Sequence, residues 1–377
     1  MTGTVVVLAK AFPPVLGGVE TYSEQVVRAY LRAGCGVVVL TQTEGNSGWG
    51  TRSTPDGAFR LWNAGPGGQV TVFRRMLREA CSAAKACDGV IGVHSTTWRV
   101  GVVADMVFRT VPRVVTVHGR EVLNFPPGAR PLMRRVFRRA ATVLAVSAET
   151  RAVALAAVRP KDSARWQVAH NGLTDALRAE NSMRTAHDGP VRLLSLCRLV
   201  ARKNVRNAVE AVASLDEAVR KSIDFRIAGK GPEVETIQHT IDRNGLGGQV
   251  RMLGFMADEE VPDLYDWADI FVHPHSHEGA DFEGFGIAIA DAMAHGCAVI
   301  AGRDGGPRDF VFDGETGFLV DGDDVHSIAD AIRRMVVDNE TRGRIASKGR
   351  EHALANFSWD LHVGPAVAAF SRGGRNR

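Results

Sequence analysis

Short runs of valine, isoleucine and leucine alternate along this chain with longer stretches in which apolar residues recur at helical spacing. In the first half, the apolar runs fall at 4–9, 36–40, 59–64, 89–95, 113–119, 142–147 and 166–172. Runs such as "TVVVLA" and "GVVVL" are continuous, which indicates strands that are covered on both faces. Residues 18–33 and 148–157 are two of the predicted intervening helices. This order of elements predicts a parallel sheet with right-handed crossovers.

The same pattern restarts after a polar stretch at 170–190, which ends in Gly-Pro and is predicted to be a linker between domains. The later apolar runs fall at 191–197, 224–231, 250–255, 269–275, 297–302 and 317–320. A chain of 377 residues is also too long for one ordinary core. The sequence therefore predicts an α/β protein with two tandem doubly wound parallel-sheet, Rossmann-like domains facing a central cleft, at 1–175 and 176–357. A helical pattern at 358–377 is expected to pack back on the first domain.

Charge and cysteine content limit the classes of partner and the location. A net charge of +4 and a pI near 8.9 fit an anionic small ligand or a membrane surface, but this bias is too weak to argue for nucleic acid. No apolar run is long enough for a transmembrane helix, and the N-terminus lacks the pattern of a signal peptide. The five cysteines are scattered without a CxxC pair. They argue against a zinc site or a disulfide framework and predict a reducing, cytoplasmic location.

One short segment, "EGFGIAIAD" at 283–291, follows a predicted strand. Ligands of doubly wound sheets bind at the carboxyl ends of strands, so this position is where chemistry is expected. Gly284 and Gly286 allow a tight turn into a helix. The first N–H groups of that helix, near Phe285, Gly286 and Ile287, are predicted to form a phosphate site.

The same segment keeps a carboxylate at each end, Glu283 and Asp291, eight positions apart. Eight helical residues rise about 12 Å, which suits the span from a sugar ring across a pyrophosphate to a ribose. One acid is then expected to bind sugar hydroxyls and the other to bind ribose hydroxyls. The alternative is that Glu283 is a helix-start acid favoured by the helix dipole and that Asp291 is an incidental interior acid.

Basic residues follow the first strand of the second domain in "CRLVARKN". Arg198 and Lys203 are spaced so that both could reach one diphosphate from the strand end. A fixed pair of cations stabilises charge that develops on a leaving nucleoside diphosphate. The alternative is a solvated basic turn, because Arg202 and Arg206 are nearby.

Glycines and a histidine follow other strands. Gly17 and Gly18, in "FPPVLGGVETYSEQV", open a helix whose N-terminus offers N–H donors, although a plain turn has the same composition. Gly229 and Gly231, in "AGKGPEVETIQ", follow a strand but lack the third glycine of the dinucleotide fingerprint. His118, in "TVHGREV", ends a strand of the first domain, where a functional role competes with a structural one.

The longer segment "EGFGIAIADAMAHGCAVIAGRDGGPRDFVFDGETGFLV" resembles the signature of glycosyltransferase family 4, whose members are retaining enzymes with the GT-B fold. The family pattern is Glu, seven residues and Glu, whereas this chain has Asp291 at the second position. The resemblance implies transfer of a sugar from a nucleotide sugar to an acceptor with the anomeric configuration kept. It also implies an acceptor-side first domain and a second domain that binds the nucleotide sugar.

The resemblance further implies roles for the other motifs. Residues that match Arg198 and Lys203 bind the pyrophosphate, and the histidine that matches His118 contacts the donor sugar near the reacting carbon. The Gly17 and Gly18 loop approaches the donor phosphate and the acceptor, and the "AGKGPEV" loop lies by the nucleotide. A donor phosphate oxygen takes the acceptor proton, and the cations replace a metal. No cofactor and no metal site are therefore expected.

These expectations combine into a retaining hexosyltransferase that moves a sugar from a nucleotide sugar, with a UDP-sugar favoured, to a small soluble acceptor such as a cyclitol or a natural-product core. The alternative is a GDP-mannose or UDP-sugar transferase that acts on a lipid-linked acceptor at the membrane surface. A hypothesis of another class is a sugar-nucleotide-binding protein without turnover. A dinucleotide oxidoreductase is opposed by the missing glycine.

Two further features bear on the acceptor. His94, which ends a strand, and the acids Glu278 and Asp281 in "SHEGADFEG" are candidate acceptor residues, with a solvated loop as the alternative for the acids. A predicted helix at 129–143 carries four arginines on one side, Arg134, Arg135, Arg138 and Arg139. This face fits weak peripheral contact with anionic lipid, although many soluble proteins have such a face.

Overall fold

The computed structural model describes residues 3–14, 17–43, 45–86, 89–126, 128–182 and 187–374. The chain divides into two compact units. The first unit joins Met1–Thr174 to Ser358–Arg377, and the second is Asp175–Phe357. Cys87 lies outside the described residues, as do residues 15–16, 183–186 and 375–377 of the predicted loop, linker and tail.

Each unit is built on one sheet. The strands of the first are β1 Thr4–Leu8, β2 Gly36–Thr41, β3 Gly48–Thr54, β4 Gly57–Asn63, β5 Val90–Ser95, β6 Arg113–Val117, β7 Thr142–Ala145 and β8 Trp166–Val168. Those of the second are β9 Val191–Leu196, β10 Ile223–Ala228, β11 Val250–Gly254, β12 Ile270–His273, β13 Ala298–Gly302 and β14 Phe318–Val320. Every apolar run of the sequence overlaps one of these strands, so the strand predictions are confirmed.

The helices pack on both faces of the sheets. They are α1 Gly18–Arg32, α2 Gln69–Ala86, α3 Trp98–Val107, α4 Arg120–Leu123, α5 Arg130–Arg139, α6 Ala148–Val158, α7 Ala176–Asn181, α8 Val205–Ser214, α9 Glu217–Lys221, α10 Val234–Arg243, α11 Val261–Trp267, α12 Ile287–Ala294, α13 Val325–Val337, α14 Asn339–Asn356 and α15 Trp359–Gly374. Short 3₁₀ turns lie at Ala201–Lys203 and Gly306–Asp309. The predicted helices at 18–33 and 148–157 correspond to α1 and α6. Within the predicted linker at 170–190, the chain forms the short helix α7, which begins where the Asp175 carboxylate accepts the Arg178 N–H at 3.0 Å.

The first sheet has the strand order β3-β4-β2-β1-β5-β6-β7-β8. Its pairs are parallel except β3 with β4, which are antiparallel, so the expectation of a wholly parallel sheet is wrong at this edge. The sequence of β3, "GWGTRST", has no apolar run because most of this edge strand is exposed. Nothing in its hydrophobic pattern therefore marks it as a strand.

The second sheet is parallel throughout, with the order β11-β10-β9-β12-β13-β14. The connections that leave β9 and β12 run in opposite directions, which makes the adjacent ends of these strands a topological switch point. In the first sheet, β1 and β5 form the corresponding point. The predicted pair of doubly wound α/β domains is confirmed.

The last helix, α15, belongs to the first unit. The Trp359 indole N–H donates to the Leu173 carbonyl at 2.9 Å. A Cβ at Gly92 would collide with the Phe370 ring, so the absence of a side chain there lets α15 lie close to β5. Within the part of the chain that the structure describes, no helix combines the length and the apolar character needed to cross a bilayer. The cytoplasmic location stays a prediction.

Candidate functional site

The switch point of the second sheet brings together a compact cluster of charged side chains. Lys203 follows β9, and its ammonium group forms an ion pair with Glu283, which lies in the segment after β12. The same ammonium donates to the His273 Nε2 at 2.9 Å. Arg202 lies 3.1 Å from the Glu283 Oε2 and 3.2 Å from the Asp281 Oδ1. Two cations from the end of one strand therefore converge on one carboxylate from the end of its neighbour.

This cluster is withdrawn from water. Arg202 and Lys203 are each 8% exposed, and His273 is 2% exposed. Burial by itself would raise the pKa of the Glu283 carboxyl, but the Lys203 and Arg202 cations hold that pKa well below its usual range. Burial, with help from the Lys203 charge, lowers the pKa of His273 to about 3. His273 is therefore neutral, and its Nε2 accepts the hydrogen bond from Lys203.

The segment that carries Glu283 leads directly into α12 and is clamped from behind. Gly286, with φ +91°, precedes the first residue of α12. A Cβ at Gly305 would collide with the Glu283 carbonyl, and one at Gly306 would collide with the Gly284 carbonyl. The Gly306 N–H donates to the Glu283 carbonyl at 2.8 Å. The glycine pair thus fixes the backbone of Glu283 beside a helix N-terminus, an arrangement suited to a phosphate group.

In the first unit, the strand ends place His118 after β6. Its backbone N–H donates to the Glu121 carboxylate at 2.7 Å, and its Nε2 lies 2.9 Å from the Thr96 carbonyl. Because a carbonyl only accepts, Nε2 carries the hydrogen. Burial lowers the pKa of His118 to about 4, so the ring is neutral and Nδ1 keeps a lone pair. His118 can accept a hydrogen bond from a hydroxyl group through this atom.

Comparison with known proteins identifies the family. Residues 16–176 match the model described as Glycosyltransferase Family 4, and residues 178–352 match that described as Glycosyl transferases group 1. A GDP-mannose-dependent alpha-(1-6)-phosphatidylinositol monomannoside mannosyltransferase of Mycolicibacterium smegmatis is 30% identical over 368 residues, which cover 92% of this chain and 93% of that protein. The chain belongs to glycosyltransferase family 4. It is accordingly a glycosyltransferase that uses a nucleotide sugar.

Other relatives and solved structures agree with this family 4 assignment. The enzyme of the same description from Mycobacterium tuberculosis H37Rv is 32% identical over 272 residues, or 69% of each chain. A D-inositol 3-phosphate glycosyltransferase of Corynebacterium glutamicum is 35% identical over 43% of this chain and 38% of that protein. Anabaena Alr3699/HepE in complex with UDP has a TM-score of 0.77 at 18% identity and covers 98% of this chain and 100% of that chain. Likenesses of the latter kind show the fold alone, which is GT-B.

Several residues singled out in the family 4 motifs have partners that the sequence did not reveal. A Cβ at Gly229 would collide with the Cys197 carbonyl, and one at Gly231 would collide with the Leu199 carbonyl. The Gly229 N–H also donates to the Gly254 carbonyl at 2.7 Å. These two glycines therefore let the loops after β9, β10 and β11 approach one another. By contrast, a Cβ at Gly18 would meet nothing within 4 Å.

The remaining donor-site candidates differ in exposure. Arg198 is exposed at the end of β9. Phe285 packs its ring among Phe310 and Phe357, with centroids 5.1 and 5.3 Å away, so only its backbone is available to a phosphate. Asp291 lies inside α12 with 7% exposure. Gly17 has the Glu20 side chain beside it, and Ile287 begins α12 with partial exposure.

The candidate acceptor residues also differ in their burial and contacts. His94 has no exposed surface, and its ring nitrogens contact Tyr30 and Thr116. This burial opposes the acceptor role predicted for His94, because a side chain enclosed in the core does not reach a substrate. Asp281 is held near Arg202, whereas Glu278 is exposed on the same loop.

The sequence reasoning missed two members of the charged cluster, Arg202 and His273. Arg202 was expected in a solvated turn, but the 3₁₀ turn at Ala201–Lys203 directs it inward. His273 and His275 flank a proline at the end of a predicted strand, and this "HPH" triplet was the available signal. The His275 ring nitrogens lie 3.0 and 2.7 Å from the carbonyls of His273 and Asp304, so the ring lies between the end of β12 and the loop after β13. Among the described residues, no group of three or more His, Cys, Asp and Glu side chains is arranged to hold a metal.

Proposed function

We propose that this protein is a retaining hexosyltransferase whose second unit binds the nucleotide sugar and whose first unit serves the acceptor side. The observation that carries the proposal is the pair of buried cations, Arg202 and Lys203, gathered on Glu283 next to the N-terminus of α12. Lys203, Arg198 and the first N–H groups of α12 hold the diphosphate and take up the negative charge that grows on it as it leaves. Glu283 binds hydroxyls of the transferred sugar, and Asp291 binds the ribose.

The proposed chemistry needs no protein base. The bond between the anomeric carbon and the donor diphosphate breaks, and the acceptor oxygen bonds to that carbon on the same face. The acceptor proton passes to a phosphate oxygen of the leaving diphosphate. The low pKa values of Glu283 and His118 support this route, because neither group is suited to take a proton from a hydroxyl. His118 instead accepts a hydrogen bond from a substrate hydroxyl.

GDP-mannose is the donor to test first. The mycobacterial relatives that match this chain over two thirds or more of their length are described as GDP-mannose-dependent. UDP-sugars, which the sequence reasoning favoured, are the second choice. The UDP complexes of HepE support them less, because an identity of 18% speaks to the fold and not to the base.

An inositol-bearing molecule is the acceptor we propose, because the relatives act by name on phosphatidylinositol monomannoside or D-inositol 3-phosphate. The first acceptor is lipid-linked and the second is a soluble cyclitol. The arginines of α5 give only partial support to a lipid-linked acceptor. Arg135 and Arg139 lie 2.7 and 3.4 Å from the buried Asp105 and so serve the fold, although Arg139 is also exposed. Arg134 and Arg138 are exposed as well.

The test is a donor and acceptor matrix. Thermal shifts with GDP-mannose, UDP-glucose, ADP-glucose and dTDP-glucose are expected to be largest for GDP-mannose. Release of GDP is then followed with myo-inositol, with inositol phosphate, and with phosphatidylinositol or its monomannoside in vesicles, and NMR of the product reports the anomeric configuration. An inverted product would overturn the retaining mechanism. Donor binding without transfer or hydrolysis would favour the non-catalytic sugar-nucleotide-binding protein.

A further inference from the structure

The core of the first unit contains a chain of polar side chains that the proposed reaction does not use. Its members are Tyr30, His94, Thr116, Tyr22 and His362, each 1% exposed or less. They come from α1, the end of β5, β6 and the C-terminal helix α15. Polar groups this deeply buried are costly unless every hydrogen-bonding atom has a partner, so their pairing defines the network.

The partners fix where each hydrogen atom lies. The His362 Nδ1 lies 2.9 Å from the Ala169 carbonyl, so Nδ1 carries the hydrogen. In the neutral ring, Nε2 then accepts, and the Tyr22 hydroxyl donates to it at 2.8 Å. The Tyr22 oxygen in turn accepts from the Thr116 hydroxyl at 2.6 Å.

The remaining hydrogen bonds of the network lead from Thr116 through His94 to Tyr30. The Thr116 oxygen accepts from the His94 Nε2 at 2.8 Å. The neutral His94 ring then accepts at Nδ1 from the Tyr30 hydroxyl, 2.7 Å away. Burial lowers the pKa values of His94 and His362 to about 3 and 4, in keeping with neutral rings. The His94 Nε2 also lies 3.3 Å from the Tyr22 oxygen, which accepts there as well. All hydrogen bonds of this network therefore run in one direction, from Tyr30 to the Ala169 carbonyl.

The middle of this chain lies against His118. The rings of Tyr22 and His118 meet edge to face, with centroids 4.6 Å apart and planes at 85°. The Thr96 carbonyl holds the Nε2 side of the His118 ring at 2.9 Å. The orientation of His118 thus depends on one hydrogen bond and on the Tyr22 ring, which the buried chain holds in place.

We propose that Tyr22 and His362 are positioning residues, which hold His118 so that its Nδ1 faces a substrate hydroxyl. The inference rests on the hydroxyl-binding role proposed for His118. It assigns the C-terminal helix, through His362, a part in turnover as well as in stability. Removing the support would leave His118 in several orientations, and misplacement of a binding group by about 1 Å can cost on the order of a hundredfold in rate.

A double-mutant cycle between Tyr22 and His118 tests this inference. Tyr22→Leu removes the supporting ring, and Tyr22→Phe keeps the ring but breaks its hydrogen bonds. His118→Gln removes the Nδ1 acceptor and keeps an amide that can reach the Thr96 carbonyl. In the wild-type background we expect Tyr22→Leu to lower kcat/KM by about tenfold or more, with a smaller loss for Tyr22→Phe. In the His118→Gln background, neither change should cause much further loss, because the group that Tyr22 positions is already absent.

His362 provides an independent arm with a conservative rescue. His362→Leu removes the hydrogen bond that links Tyr22 to α15, whereas His362→Gln keeps an oxygen that can accept from the Tyr22 hydroxyl. We expect the leucine variant to lose turnover and the glutamine variant to keep most of it, with both assayed well below their melting temperatures. The ¹⁵N resonances of the His118 ring, which report its tautomer, should shift in the leucine variant only.

The outcomes distinguish a failure of the role proposed for His118 from a failure of the positioning role proposed for Tyr22 and His362. If His118→Gln keeps full activity, the role proposed for His118 fails, and the positioning inference fails with it. If His118→Gln is impaired but folded Tyr22 and His362 variants keep wild-type kinetics, the positioning inference alone is overturned. The inference would also be overturned if the losses of kcat/KM from the Tyr22 and His118 substitutions multiplied in the double variant. Independent losses would mean that the two residues act separately. If Tyr22→Leu does not fold, the milder Tyr22→Phe variant carries the same comparison.

Discussion

Lys203 is the buried cation that the proposed reaction depends on most. It bonds to both Glu283 and His273 at the end of β9, where a bound diphosphate would share its charge with Glu283. We expect Lys203→Ala to lower turnover by at least about tenfold, because one preorganised charge on a leaving group is worth roughly that much or more. Steady-state kinetics with the preferred donor provide the measurement.

The control for Lys203 is Lys221→Ala. Lys221 is a lysine of the same unit, 68% exposed, whose ion pair with Glu217 spans one turn of α9. Such exposed pairs contribute little, so this variant should keep wild-type kinetics. Near-normal turnover in a folded Lys203→Ala protein would count against the whole donor-binding scheme.

Glu283 neutralises Arg202 and Lys203 and therefore competes with any diphosphate for them. We expect Glu283→Gln to bind GDP or UDP more tightly than the wild-type protein does, while turnover falls because a ligand of the transferred sugar is weakened. Isothermal titration calorimetry and kinetics measure the two effects. Glu278→Gln, which changes an exposed acid of the same segment, is the control and should leave nucleotide affinity unchanged. Weaker nucleotide binding with normal turnover would refute the competition.

At the scale of elements, the segment between β12 and α12 depends on the glycine pair behind it. A Cβ at Gly306 would collide with the Gly284 carbonyl and push the backbone that carries Glu283. We expect Gly306→Ala to lower kcat/KM and to destabilise the fold by about 1–3 kcal/mol, the usual range for overpacking. Gly248→Ala is the control, because a Cβ there meets nothing within 4 Å. Chemical denaturation and kinetics should separate the two variants, and equal behaviour would refute the clamp.

The exposed arginines Arg134 and Arg138 lie on α5 near the exposed Leu132. If the acceptor is lipid-linked, Arg134→Ala with Arg138→Ala should weaken binding to anionic vesicles by about 1 kcal/mol per arginine. Transfer to a soluble acceptor should not change. Arg333→Ala, an exposed arginine on α13 of the other unit, is the control for sedimentation with vesicles. Undiminished sedimentation of the double variant would exclude α5 as a lipid contact.

At the scale of the whole molecule, buried histidines predict how stability depends on pH. Burial lowers the pKa values of His94 and His273 to about 3, and those of His118 and His362 to about 4. The unfolded chain therefore binds protons that the folded chain does not. The contribution to stability is complete above about pH 6.5. It is lost as the pH falls toward the folded values, by about 1.4 kcal/mol per histidine per pH unit.

Urea denaturation at pH 7, 6 and 5 measures this slope. We expect His362→Gln to reduce the proton uptake on unfolding by about one proton. His239→Gln is the control, because His239 is exposed on α10 and should not alter the slope. A stability that does not change between pH 7 and 5 would contradict neutral buried histidines.

The strands, most of the helices and the family could be predicted from the sequence, because these depend on local patterns. A short run of β-branched residues such as 4–9, placed between helix-period segments, indicates a buried strand. The glycines of the segment "EGFGIAIAD" indicate a strand-to-helix turn. The strand that was not predicted, β3, is an exposed edge strand that forms its hydrogen bonds with β4. Its hydrophobic pattern therefore contained no signal.

Only the tertiary structure decided which side chains meet. Arg202 faces Glu283 because β9 and β12 are neighbours in the sheet, although the two residues are far apart in sequence. His94 turns into the core because Tyr30 and Thr116 satisfy its ring there. His362 reaches Tyr22 across almost the full length of the chain. The partner of a polar group is set by strand order and helix packing, and these bring together residues that no local pattern of the sequence connects.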